Sequence, residues 1–217
     1  MNNKQKANLI VKILNKIYPK TPIPLKHRNK FTLLISVLLS AQCTDLNVNN
    51  VTKDIYTKYY KPEHFVKLGR KKIERLIKKI GIFRIKAKNI YKLSKQLLNK
   101  HKGRVPDTFE ELEKLPGVGH KTASVVISQG FGKPAFPVDT HIHRLAQRWG
   151  LTNGKNVEQT EKDLKNLFPQ KNWNKLHLQM IFYGREFCKA RECYGIGCKI
   201  CKSCYPNRTR PIKIIKA

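Results

Sequence analysis

The chain has 217 residues and carries 45 Lys+Arg against 14 Asp+Glu, a formal net charge of +31 at pH 7. Such a field attracts polyanions and adds self-repulsion to the folded state, which ranks nucleic acid first as a partner, a membrane surface second and an acidic protein third. An apolar content of 40% excludes a disordered tail, and the longest apolar string, around FTLLISVLLSA, is too short to span a bilayer.

The abundance of Lys, Asn and Ile also fits an AT-rich genome, which accounts for part of the basic excess. The N-terminal MNNKQKANLIVKILNKIYPK has charges cutting through its apolar stretch and does not read as a signal peptide. A soluble, cytoplasmic, non-secreted protein is expected.

Helical periodicity dominates from the start. In NLIVKILNKIYP the apolar residues Leu9, Ile10, Ile13, Leu14 and Ile17 line one helix face, and Pro19, Pro22 and Pro24 break it. FTLLISVLLSAQ is apolar nearly all round and predicts a buried central helix. Asp45, after Thr44, is placed to cap the next helix, LNVNNVTKDIYTKYY, which ends at Pro62. RKKIERLIKKIG is amphipathic and is expected to stop at Gly81 as a C-cap. RIKAKNIYKLSKQLLNKHKG predicts a helix ending near Gly103. VPDTFEELEKLPG offers Asp107 or Thr108 as N-cap, with glutamates in the first turns. Helical segments follow in HKTASVVISQGFG, VDTHIHRLAQRWG, NVEQTEKDLKNLFP and NWNKLHLQMIFYGREFC. No strand pairs and no internal repeat are visible, so the fold class is all-α, built from about ten short helices.

The segment LPGVGHKTA joins two of these helices through a tight turn, a helix-hairpin-helix. Pro116 stiffens the entry, while Gly117 and Gly119 allow positive φ and close approach of another backbone. The second helix then opens with N–H groups that have no intrahelical acceptor and a partial positive charge, which suits a phosphate. A hairpin of this kind positions a nucleic-acid backbone without reading base sequence; the plainer reading is an ordinary turn between two helices. Lys121 lies in the first turns of that second helix. As a nucleophile it must lose its proton, which burial, nearby cations and the helix N-terminal field all favour; most lysines in so basic a chain are solvated charge. Asp139, in FPVDTHIHRLAQR, stands where a helix starts. It reads as an N-cap, or as a carboxylate that activates an amine or stabilises an oxocarbenium-like sugar, or as both.

Five of six cysteines crowd into Cys188 to Cys204, and Cys43 stands alone. One local cluster points to a metal site rather than a disulfide scaffold. Cys198, Cys201 and Cys204 form C-x2-C-x2-C, with Cys188 and Cys193 before them. Four thiolates suit zinc or an iron–sulfur cluster, and spacing does not separate the two.

LPGVGHKTA, then VDTHIHR with eighteen residues from Lys121 to Asp139, then the C-terminal cysteines together resemble the endonuclease III family. This is a family of helix-hairpin-helix DNA glycosylases and abasic-site lyases for oxidised pyrimidines. LLSAQCTDLNVN and IKKIGIFRIKAKNI resemble its other hallmarks, so the likeness covers most of the chain. It implies two helical domains with DNA across the cleft between them. One is a six-helix domain over residues 23–133 that bears the hairpin. The other joins residues 1–22 to 134–217 and carries a [4Fe–4S] cluster on a C-terminal loop. It implies Lys121 as nucleophile and Asp139 as catalytic carboxylate, with Gly117, Gly119 and His120 among the DNA-contacting residues. Gln42 resembles the residue that fills the space left by a flipped nucleotide, and Ile82 the apolar wedge beside it. On the residues alone, Gln42 reads equally as a polar helix end and Ile82 as a core isoleucine. His120, His141 and His143 are not read as metal ligands; each fits a helix surface or a packing role.

The family's usual cysteine pattern is C-x6-C-x2-C-x5-C. Here Cys188 and Cys204 keep the first-to-last separation, but the inner spacing differs and a fifth cysteine is present. The expected ligand set is Cys188, Cys198, Cys201 and Cys204, with Cys193 spare. The implied partner is double-stranded DNA containing damaged pyrimidines or abasic sites, bound by a monomer associated with the nucleoid and not with a membrane. Competing readings are a non-catalytic, metal-stapled DNA-binding module, an adenine-type monofunctional glycosylase, which generally lacks the lysine after the hairpin, and a zinc-ribbon RNA binder.

Overall fold

A computed structural model of the chain describes residues 1–216. Among the described residues every regular element is helical: eleven α-helices, one π-turn and one 3-10 turn. None of these helices is long and apolar enough to cross a membrane. The helices form two compact units, one spanning Ile23–Lys133 and the other joining Met1–Pro22 to the chain from Pro134 onward.

The Ile23–Lys133 unit is organised around α2 (Lys30–Ser40), in which nine consecutive residues, Phe31 to Leu39, are buried. Each Leu or Ile held there contributes about 1.5–3 kcal/mol by leaving water. Asn29 starts the helix with a reciprocal capping box to Thr32. Next come α3 (Asp45–Lys58), α4 (Pro62–Leu76), α5 (Phe83–His101) and the short α6 (Phe109–Glu113). The last element of the unit is α7 (His120–Val125), continued by the π-turn Val126–Gly130.

Two expected boundaries move. The cap of α3 is Thr44, whose hydroxyl accepts from the Asn47 N–H at 3.2 Å, and Asp45 is the first helical residue beside the positive helix end. The RKKIERLIKKIG helix ends at Leu76 rather than at Gly81. Ile77 and Ile80 are buried, and the Ile80 N–H turns back onto the Ile77 carbonyl at 2.9 Å. That tight turn keeps both isoleucines in the core while the chain reverses into α5. Gly69, at φ +70°, breaks α4 internally.

The other unit contains α1 (Asn3–Ile17), α8 (Thr140–Trp149), α9 (Val157–Leu167), α10 (Trp173–Glu186) and α11 (Lys199–Cys204). Its core joins Ile10, Leu14, Phe136, Leu145, Trp149, Leu164 and Tyr183 to the five clustered cysteines. Helix α8 is buried from Ile142 to Trp149, including its two arginines. Gly150 ends it in the left-handed region at φ +69°.

Candidate nucleic-acid interface and metal centre

The hairpin begins where α6 stops. Lys114 caps that end and pairs with Glu110 and Glu111, each at 2.7 Å. Leu115 and Val118 are buried, and the Val118 N–H donates to the Leu115 carbonyl at 3.1 Å, which closes the turn. Gly117 takes φ +81°, and a β-carbon there would meet the Asn89 side chain on α5 at 2.6 Å. Both the backbone and the space demand glycine.

Gly119 differs from expectation. Its backbone is extended, at φ −95° and ψ 176°, and a β-carbon would meet no protein atom within 4 Å. It stands at the N-cap of α7, where no side chain caps the first turn, whose N–H groups have no intrahelical acceptor. The fold therefore does not need glycine at this position, but an outside backbone drawing close would.

His120 places Nδ1 2.7 Å from Glu113 Oε1 and stacks on Phe109 at 5.2 Å, tying the start of α7 to α6. Lys121 follows it on α7 and is exposed; the burial expected around this lysine is not found. Asp139 belongs to the other unit. It is half-buried and caps α8, its Oδ1 accepting from the Ile142 N–H at 2.9 Å.

The Gln42 turn lies against the Gly81–Ile82 turn. Both are exposed and both hold the left-handed backbone, at φ +54° and +57°. The Gln42 carbonyl lies 3.8 Å from where a Gly81 β-carbon would stand. Ile82 is 50% exposed, which removes the core reading of that residue. Asn47 bridges the same two turns, its amide donating to the Lys79 carbonyl and to Cys43 Sγ, both at 3.2 Å.

In the other unit, Cys188, Cys193, Cys198 and Cys201 are all buried, and their sulfurs lie within 4.8 Å of one another. The expected set of Cys188, Cys198, Cys201 and Cys204 differs from this group in one member, since Cys193 is inside it and Cys204 is outside it. The cause is a turn that residue counting does not reveal. The Ile196 and Gly197 N–H groups fold back onto the Cys193 carbonyl at 2.9 and 3.0 Å, and the Cys198 N–H donates to Cys193 Sγ at 3.4 Å. Tyr194 and Gly195 take positive φ to make that reversal. Cys204, at the end of α11, is buried, and burial pushes its thiol up to about 11. The Cys198 thiol is held far below the ordinary range, first by its hydrogen bond with Cys188 and then by that with Cys201.

Buried arginines of α8 clamp this segment. Arg144 donates to the carbonyls of Gly184 and Cys188. Arg148 donates to the carbonyls of Cys188, Lys189 and Ala190 and reaches Cys188 Sγ at 3.5 Å. Tyr183 accepts the Ile200 N–H at 3.1 Å and fixes the start of α11. Arg144 and Arg148 stand four residues apart and so share one face of α8. Four converging buried thiols with guanidinium donors fit a thiolate-held metal group.

The family model described as "HhH-GPD superfamily base excision DNA repair protein" matches residues 35–170. Endonuclease III of Bacillus subtilis (strain 168) is 40% identical over 214 residues, covering 98% of each chain. The chain belongs to the endonuclease III family within that superfamily. A solved structure of a trapped endonuclease III–DNA covalent intermediate superposes with a TM-score of 0.86 at 41% identity, covering 94% of this chain and 99% of that one. A non-covalent endonuclease III–DNA complex gives the same TM-score at 42% identity, covering 94% and 98%. For a member of this family, the outward-facing start of α7, the Gln42–Ile82 pair and the cysteine loop are the three features to be assigned chemistry.

Proposed function

We propose that the chain releases oxidised pyrimidines from duplex DNA and cleaves the resulting abasic strand, with Lys121 as the covalent nucleophile. It is a base-excision-repair DNA glycosylase and abasic-site lyase. Support for the residue assignment comes chiefly from one arrangement: Lys121 stands two residues past Gly119, in the uncapped first turn of α7, on a chain that superposes on a trapped endonuclease III–DNA covalent intermediate.

In this reading the N–H groups at the start of α7 hold a phosphate of the damaged strand, and the open space at Gly119 admits the sugar–phosphate backbone. Ile82 enters the stack and Gln42 occupies the place of the everted nucleotide; a damaged base costs less to unstack. The Lys121 amine, once it has given up its proton, attacks C1′, forming an N–C bond as the bond from C1′ to the base breaks, and the departing base takes a proton. Proton loss from nitrogen with opening of the sugar ring gives a protonated imine. Loss of the C2′ proton then expels the 3′ phosphate, breaking the strand. Asp139 is assigned as the catalytic carboxylate, favouring the positive charge that develops at the sugar.

We assign the thiolate group a [4Fe–4S] cluster held by Cys188, Cys193, Cys198 and Cys201. When bound, it would cross-link the loop through those four cysteines. The residues Arg185, Lys189, Arg191, Lys199 and Lys202 around it are exposed and supply phosphate contacts.

Borohydride trapping tests the nucleophile. Wild type forms a covalent adduct with DNA containing an abasic site, and Lys121→Gln forms none while still binding that DNA. Undiminished trapping by the variant overturns the assignment.

A further inference from the structure

Lys86, on α5, is only 6% exposed. Its ammonium donates to the carbonyl of Leu39 at 2.9 Å and to that of Ala41 at 2.6 Å. Those carbonyls lie at the end of α2, where no intrahelical donor remains. The neighbouring acceptors are also occupied: Ser40 Oγ donates to the Val37 carbonyl and the Cys43 N–H to the Ser40 carbonyl. The exit of α2 is thus held from several sides immediately before Gln42.

The same residue holds the other turn. The Lys86 N–H donates to the Ile82 carbonyl at 3.2 Å, forming the first turn of α5. Ile82 and Gln42 are each in a backbone region that non-glycine residues rarely adopt. Such conformations persist only where the surroundings over-determine them, and they cluster at functional sites. Lys86 therefore fixes the Ile82 turn through its main chain and the Gln42 turn through its amine. A hydrophobic residue would pack this site without leaving the α2 carbonyls a donor. Burial lowers the pKa of Lys86, since its charge is stripped of water.

We propose that Lys86 is a positioning residue for base extrusion, registering the Gln42 and Ile82 turns against each other so that both reach the DNA stack together. This rests on the reading of Gln42 and Ile82 as the residues that enter the duplex.

The test uses full-length, metal-loaded protein and two substrates under single-turnover conditions. One is a duplex with a centrally placed oxidised pyrimidine, which requires extrusion. The other is a single strand with an abasic site, which requires none. Lys86→Met is expected to slow processing of the duplex by about tenfold or more while changing single-strand cleavage by less than about twofold. Its stopped-flow signal from 2-aminopurine beside the lesion slows in step, and Lys86→Arg, which keeps two donors, recovers most of the loss. Equal losses on both substrates, or no loss on either, overturn the proposal. If Lys86→Met does not fold, Lys86→Gln is measured against the same criteria. Gln42→Ala and Ile82→Ala separate the two levels of inference. If they leave the duplex-to-single-strand ratio unchanged, the extrusion reading fails; if they change it and the Lys86 variants do not, only the role of Lys86 fails.

Discussion

Gly117 and Asn89 are packed so closely that a β-carbon on the glycine would lie 2.6 Å from the asparagine amide nitrogen. A β-carbon on Gly119, two residues on, would meet nothing within 4 Å beyond its own stretch of chain. One sequence motif therefore contains two glycines with different reasons to exist. Gly117→Ala costs about 1–2 kcal/mol for the left-handed backbone and about 1–3 kcal/mol for overpacking. At about 2–4 °C per kcal/mol for a chain of this size, its Tm falls by several degrees. Gly119→Ala leaves Tm close to wild type and weakens binding to abasic-site duplex. Thermal melts and a fluorescence-anisotropy titration of both variants check the pair. A Gly119→Ala variant that melts as early as Gly117→Ala would show that the open space matters to the fold.

Asp139 combines two roles that substitution can separate. Asparagine caps a helix as well as aspartate does, so Asp139→Asn keeps an oxygen for the Ile142 N–H while removing the charge. We expect its stability to match wild type and its base-release rate to fall by about 100-fold or more. Asp139→Ala loses the cap as well and is destabilised by about 0.5–2 kcal/mol. Single-turnover kinetics beside urea unfolding distinguish the outcomes. Equal rates for wild type and Asp139→Asn would leave the residue a cap and nothing more.

Much of this arrangement was legible in the chain itself. FTLLISVLLS is apolar all round, and only a central helix satisfies that pattern. LPGVGH followed by lysine announced the hairpin because proline, glycine and an uncapped helix start are local features. What escaped depends on the third dimension. Ile82 looks like any core isoleucine until the turn at Ile77–Ile80 ejects it to 50% exposure. Arg144, Arg148 and Lys86 look like surface charges because such residues are seldom buried, yet they are 7%, 2% and 6% exposed. Cys193 is the spare cysteine when the family's C-x2-C step and first-to-last separation are kept, and the reversal at Tyr194 and Gly195 carries it back to Cys198.

That reversal makes the ligand set testable. Serine at Cys188, Cys193, Cys198 or Cys201 removes a soft thiolate, and each variant is expected to lose bound iron and the visible absorption of the purified protein. Cys204→Ser is expected to retain both. Metal analysis with an absorption spectrum decides the matter. Iron retained by Cys193→Ser and lost by Cys204→Ser would restore the set read from spacing. One zinc per chain without iron would replace the cluster by a tetrahedral ion on the same residues. Arg148→Met, which removes the guanidinium from the Cys188–Ala190 carbonyls, is expected to fold with metal but release it faster to a chelator.

His143 gives the fold a pH dependence of defined sign. It is 1% exposed, and Nδ1 lies 2.8 Å from Thr160 Oγ1. Burial is the largest influence on its titration and lowers its pKa from the ordinary 6.5, outweighing an opposing backbone contact from Ile215 and the charge of Glu158. In the window below 6.5 the unfolded chain thus binds more protons at this position than the folded one. Stability there rises with pH. The contribution of neutral His143 is fully present above its unfolded value and is lost as pH falls through the folded one. The urea midpoint of wild type should therefore drop between about pH 7.5 and pH 5, with His143→Gln less stable at the upper end but flatter across the range. Parallel slopes for the two proteins would assign the proton uptake to other groups.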